Sequence, residues 1–239
     1  MLAIADIATG TGIWLKDVSR ELGTTATQCY YHGFDISPDQ FPKNPGNIDF
    51  SVHDITKPFP EEHRNRYDLV HVRLLVAAIE ESEYKVAISN IYAILKPGGF
   101  LQWEEVDEET YTSNDNPVIW EIRRCFELSY KAEGKCFQAS AKVHDECIAA
   151  GFLDVERSVY SSDRDDSLRL DTERGLATLI ETLYASLLLR SGQVDSEEAA
   201  IRQAEKLIKQ HWQLCDNGNS PPLKLMRVVG QKQLRGSSL

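Results

Sequence analysis

Apolar and polar positions alternate between two periods along the first hundred residues. Short apolar runs bounded by glycine, proline or acidic residues read as strands, and stretches with apolar positions three and four apart read as helices. Leu2 to Ile7 is the first strand, followed by an amphipathic helix from Ile13 through Val18. Gln28–Asp35, Ile48–Ile55 and Tyr67–Arg73 are the next three strands. Ser37-Pro38 has the form of a helix cap and first turn. Ser82 is expected to cap a helix with apolar positions at Val86, Ile88, Ile91, Ile94 and Leu95, which Pro97-Gly98-Gly99 stops. A fifth strand runs on to Glu104.

Beyond Val106 the pattern loosens. Asp107 to Asn116 is polar, Val118–Leu128 and Val143–Ala150 read as helices, and Asp154–Tyr160 as a sixth strand. After a charged loop, Ser162–Asp166, Asp171 or Thr172 is expected to cap a helix running to about Leu189. Ser196-Glu197-Glu198 opens another through Trp212, and Leu223–Gln231 is the last strand. The final five residues are expected to be disordered. Alternating strands and helices imply an α/β fold with a parallel sheet covered on both faces.

The chain has 239 residues, enough for one such domain with a helical insertion. Its net charge of −11 argues against a nucleic-acid partner, because phosphate binding needs a basic face. No apolar stretch is long enough for a membrane span, and Asp6 interrupts the N-terminal apolar run, so a cytoplasmic protein without a membrane partner is expected. Five cysteines without a C-x-x-C pair point to reduced thiols and to no metal site.

The chemistry concentrates in Asp6-Ile7-Ala8-Thr9-Gly10-Thr11-Gly12. A strand, a G-x-G loop and a helix start form the place where an open α/β sheet holds a nucleotide-like ligand. The dinucleotide version needs a small residue three positions after the second glycine, where this chain has Leu15, and no Lys-Ser/Thr pair follows to make a triphosphate loop. Asp6 would repel a pyrophosphate but suits a ligand that carries an ammonium group. A carboxylate, an ammonium and a ribose together describe S-adenosylmethionine. Asp35, 23 positions after Gly12, can accept both ribose hydroxyls, and Asp54 an adenine amino group, with Ile36 and Ile55 beside them.

With these residues the chain resembles a class I S-adenosylmethionine-dependent methyltransferase, and more narrowly the branch common in fungal secondary metabolism. The TGTGIW, GFDIS, HDI, YDLVHVR and LKPGGFLQWEE blocks carry the resemblance from Leu2 to about Val106. It implies a doubly wound, seven-stranded Rossmann-like sheet, mostly parallel with an antiparallel last strand, and a helical insertion before that strand. It also implies one domain over 1–239, with a cofactor-binding half at 1–106 and a substrate-side half at 107–239 whose helical lid covers about 168–215.

Cofactor contacts are expected at Asp6, Ala8, Thr9, Gly10, Gly12, Asp35, Ile36, Asp54 and Ile55. Ala8 replaces the family's usual glycine. Since alanine penalises positive φ, a shifted loop or weaker hold on the ligand is expected. The family carries a helical segment before its first strand, so three expectations stand: cover for this site from elsewhere, as a homodimer would supply, an unusually open site, or a truncated chain. Substrate groups come from the ends of strands four and five, making Arg73 and Glu104 the catalytic candidates. Glu104 or Glu105 would take a proton, or belong to a solvated acidic run through Glu109; Arg73 would hold a substrate carboxylate or pair with one of these glutamates. His71 reads as a packed core histidine.

The acceptor is expected to be a small, largely apolar metabolite. No Asn/Asp-Pro-Pro-Tyr/Phe follows strand four, and that strand ends in Arg73 where a metal-dependent catechol enzyme would have an aspartate. Two other readings stay open: a cyclisation or rearrangement catalyst that uses the cofactor non-reactively, and a non-enzymatic methyltransferase-like regulator.

Overall fold

A computed structural model describes residues 1–23, 29–107, 110–112 and 115–234. The expectations for Gln28, Glu108, Glu109 and the last five residues lie outside the described residues. The strands are β1 (Leu2–Ile7), β2 (Cys29–Asp35), β3 (Ile48–Val52), β4 (Tyr67–Arg73), β5 (Leu95–Val106), β6 (Phe152–Ser161) and β7 (Lys224–Lys232). The helices are α1 (Ile13–Leu22), α2 (Tyr84–Ile94), α3 (Pro117–Ala132), α4 (Ala139–Ala149), α5 (Asp166–Arg190) and α6 (Glu197–Asp216). The seven strands form one sheet in the order β3-β2-β1-β4-β5-β7-β6, mostly parallel with one antiparallel strand.

One compact unit consists of Met1–Glu105, Ser140–Ser158 and Met226–Leu239. Its centre is β1, buried from Ala3 to Ile7 and paired in parallel with β2 on one side and β4 on the other. Leu15 of α1 packs with Ile4, Tyr31 and Ile48, removing that face of the sheet from water. A chain buried on both faces explains why β1 reads as a continuous apolar run rather than an alternating one.

Helix α2 ends at Ile94, and the Pro97-Gly98-Gly99 segment expected to stop it lies inside β5. Leu95 pairs with Tyr67 and Phe100 with Leu69, so Lys96 to Gly99 form a bulge inside β5. Gly98 has φ +81°, which a glycine adopts without strain. Nor does Ser82 cap α2: it lies in a 3₁₀ turn, Glu81–Glu83, opened by a capping box between Glu80 and Glu83. Ser37-Pro38 starts no helix; Ser37 Oγ accepts from the Asp39 N–H in a local turn.

The second unit consists of Val106–Ala139 and Val159–Leu225. Its core is Ile119, Ile122 and Phe126 of α3 packed with Ile180, Tyr184 and Leu188 of α5 and Ala204 and Leu207 of α6. Asp165, and not Asp171 or Thr172, caps α5, accepting from the N–H groups of Ser167 and Leu168. Ser196 caps α6 as expected. No described helix is long and apolar enough to cross a membrane.

Candidate active site

The loop between β1 and α1 turns on three residues in the left-handed region: Ala8 at φ 57°, Gly10 at 52° and Gly12 at 68°. Ala8 therefore takes the left-handed conformation that a glycine adopts without strain. A Cβ on Gly12 would lie 2.5 Å from the Phe50 ring, so that glycine is required by space as well as by φ. Gly12 is also the N-cap of α1 and supplies no side-chain acceptor, so no cap side chain takes up the N–H groups of the first turn.

Two carboxylates brace the loop. Asp35, at the end of β2, accepts from the Gly10 N–H at 2.8 Å. Asp6, 3% exposed, accepts from Thr9 Oγ1 on one oxygen and pairs with His71 Nδ1 on the other, both at 2.7 Å.

Beside the loop lies a cleft of about 350 Å³, within the range of small-ligand sites. It sits beyond the carboxyl ends of β1, β2 and β4, where the chain leaves β1 for β2 on one side and β4 lies on the other. Such a switch point is where open α/β sheets bind ligands. Ala8, Gly10, Asp35, Ile36, Asp54, Ile55 and Arg73 all line it. Asp6, Thr9, Gly12 and Glu104 do not line it; Asp6 bonds to the Thr9 hydroxyl and the Gly12 N–H to the Thr9 carbonyl within the loop.

Residues 4–99 match the family described as Methyltransferase domain. The chain is 41% identical to the Penicillium methyltransferase grgD over 116 residues, covering 46% of this chain and 41% of that protein. It is 36% identical to the N-methyltransferase gliN of Aspergillus fumigatus over 113 residues, 46% of this chain and 39% of that protein. The chain thus spans about two fifths of the length of these relatives. Among solved structures, a phosphoethanolamine N-methyltransferase 2 from Haemonchus contortus superposes with a TM-score of 0.59 at 16% identity, over 97% of this chain and 49% of that one.

Residues 4–99 are thus similar to a methyltransferase domain.

The cleft has further walls that the sequence reading did not assign. His53 lines it, held by its N–H to the Asp35 carbonyl at 2.7 Å and by Nε2 to the Lys57 carbonyl. Burial pushes the His53 pKa down, which keeps the ring neutral near pH 7. Asp54 Oδ1 accepts from the Thr56 N–H and hydroxyl, and these bonds lower its pKa and fix the carboxylate at the wall. Asn90 of α2 ties down the Ile55 carbonyl at 2.8 Å. The opposite wall is the segment after β4, contributing Leu74, Leu75, Ala78 and Ile79.

Glu105 builds that opposite wall. It is 1% exposed and accepts from the Leu75 N–H at 2.8 Å, the Val76 N–H at 3.3 Å and the Trp103 indole at 2.9 Å. It is therefore not part of a solvated acidic run. Strand alternation carries the signal: Leu101, Trp103 and Glu105 share the buried face of β5, whereas Gln102 and Glu104 share the other.

Glu104, expected to take a proton, has a different setting. Its Oε1 is 2.7 Å from both Nε and Nη2 of Arg227 on β7, and Gln102 Nε2 donates to it as well. Burial opposes the charge, but His71 and Arg227 outweigh it and hold the carboxyl at about 2. A carboxylate held so low is a poor proton acceptor at neutral pH. Arg227 is 123 residues from Glu104, and no local pattern announces the pair. Arg73, by contrast, makes no ion pair among the described residues and is exposed at the cleft.

Proposed function

We propose that the domain transfers a methyl group from S-adenosylmethionine to a small acceptor, in the manner of fungal secondary-metabolite methyltransferases. The observation that carries this reading is one cleft walled by a glycine loop at a helix start and by two strand-end carboxylates. The donor set fits the cofactor. A carboxylate offers about four lone-pair sites. Asp35 Oδ2 takes the Gly10 N–H and Oδ1 a longer bond from the Ser37 N–H at 3.3 Å, leaving capacity for a ribose diol. Ile36, 71% exposed on the wall, and Ile55 supply apolar faces for a flat ring, with Asp54 at hand for an amino group.

When bound, the cofactor supplies an activated sulfonium methyl, so the protein's contribution is largely orientation. Arg73 is the cation on the cleft wall, and it is assigned to an anionic group of the acceptor. Glu104, locked to Arg227, shapes the sheet beside the cleft instead of moving a proton. The acceptor is taken to be a small organic metabolite that neither nucleic acid nor membrane presents.

Calorimetric titration with S-adenosylmethionine and S-adenosylhomocysteine tests the reading. Both should bind the wild type, the product form at least as tightly. Asp35→Ala should weaken both by about 10- to 100-fold, the loss of hydrogen bonds to a charged acceptor. Unchanged binding in that variant would remove Asp35 from the site.

A further inference from the structure

His71, in the middle of β4, is 1% exposed and touches no cleft surface, yet it is surrounded by ionisable groups. Its Nδ1 is 2.7 Å from Asp6 Oδ1 on β1. Its Nε2 is buried without a hydrogen-bond partner and stands 3.9 Å from Glu104 Oε2 on β5. The ring lies flat against the Trp14 indole of α1, centroids 3.8 Å apart and planes 3° from parallel. Behind Glu104 comes Arg227 of β7. Charged and titratable groups therefore form a row across four strands: carboxylate, imidazole, carboxylate, guanidinium.

A neutral imidazole would leave that row with a net negative charge in the interior. An imidazolium makes it neutral and gives Nε2 a proton to direct at Glu104. An uncompensated buried charge is strongly destabilising, so these surroundings select the protonated ring.

We propose that His71 is an imidazolium that acts as a positioning residue for the glycine loop. The path is short. His71 fixes Asp6 Oδ1, Asp6 Oδ2 fixes the Thr9 hydroxyl, the Thr9 N–H reaches the Phe34 carbonyl, and the Thr9 carbonyl accepts from the Gly12 N–H at 2.9 Å. Through this chain the charge on β4 sets the conformation of the loop that opens α1. Burial acts against the charge, but the bond to Asp6 and then the nearby Glu104 carboxylate prevail, and the His71 pKa is raised. The link to ligand affinity rests on the S-adenosylmethionine reading; the link to loop geometry does not.

The test is an NMR titration of the ligand-free protein, following the His71 ring nitrogens and the Gly10 and Gly12 amides from pH 6 to 9.5. S-adenosylhomocysteine affinity is measured over the same range for wild type and His71→Asn, which keeps a donor for Asp6 and removes the charge. The ring should be an imidazolium at pH 7, and both glycine amides should shift in step with its titration. Wild-type affinity should fall about tenfold as the ring loses its proton, and the variant should bind weakly with no pH dependence in that window. A ring neutral at pH 7, or glycine amides indifferent to its titration, overturns the proposal. Should the variant fail to fold, the wild-type titration still decides. A wild type that binds no S-adenosylhomocysteine at any pH, with glycine amides that track the ring, sinks the cofactor reading and leaves the loop brace standing.

Discussion

Ala8→Gly should make this protein more stable, against the usual direction for a glycine substitution. The alanine sits at φ 57°, where an L-residue's Cβ crowds the following carbonyl at a cost of about 1–2 kcal/mol. Removing the methyl relieves that strain but widens the freedom of the unfolded chain, which offsets about 0.4–1 kcal/mol. The net expectation is a gain of about 0.5–1 kcal/mol, or roughly 2–3 °C in Tm for a chain of this size. Urea denaturation with an unchanged m-value is the measurement, supported by a thermal melt. Affinity for S-adenosylhomocysteine should stay within about twofold, because the alanine backbone already has the glycine conformation. A variant destabilised by about 1 kcal/mol would refute the reasoning. The Ala8 methyl would then contribute more through packing than its φ costs.

Glu105→Ala should destabilise by about 3 kcal/mol or more, since it strips the acceptor from two backbone N–H groups and an indole. A shift in urea midpoint worth under 1 kcal/mol would show that the wall after β4 does not depend on it. Acid should weaken the fold through His32, which is 5% exposed and bonded to the Tyr30 and Tyr67 hydroxyls and to Ser51. Burial, then the charge of His63, lowers its pKa to about 4. The folded state thus keeps the ring neutral while the unfolded state protonates near 6.5. Its stabilisation is complete above about pH 6.5 and declines as pH falls towards 4, by about 3 kcal/mol in all. Stability curves of wild type and His32→Gln should converge across that window. Parallel curves would count against the assignment.

Most of the sheet was legible because β1 to β5 each announce themselves by an apolar run ending in a charged or glycine-rich stop. The cleft was legible for the same reason, since Gly10, Asp35 and Asp54 sit at strand ends that the parallel order brings to one edge. What escaped was of two kinds. Helix starts on the surface carry no periodic signal in their first turn, so α5 begins at Asp166, several residues ahead of its first buried side chain, Leu176. Glutamate did the capping at Glu80 that serine was expected to do at Ser82. The other kind is pairing at long range. Nothing near Glu104 indicates Arg227, and a lone histidine at position 71 does not show which acids the register of β1 and β5 sets on either side of it.

The strand-end acids share a pattern that changes how their substitutions should be read. Asp6 holds Thr9, Asp35 holds the Gly10 N–H, Asp54 holds Thr56 and Glu105 holds Leu75 and Val76. Each carboxylate thereby fixes a residue just beyond a strand end, in its own loop for Asp6 and Asp54 and in a neighbouring strand's loop for Asp35 and Glu105, where a parallel sheet leaves its loops without a ladder partner. A negative charge at these points thus has a structural task before any ligand arrives. Removing Asp35 consequently frees the Gly10 amide as well as subtracting an acceptor from the cleft. Asparagine at the same position keeps an acceptor oxygen for that amide while lowering the strength of bonds to a ribose. If Asp35→Asn weakens S-adenosylhomocysteine binding nearly as much as Asp35→Ala, the carboxylate acts on the ligand. If Asp35→Asn binds like wild type, its task is to hold the loop, and the ligand contacts must be sought on Asp54 and the backbone of residues 8–12.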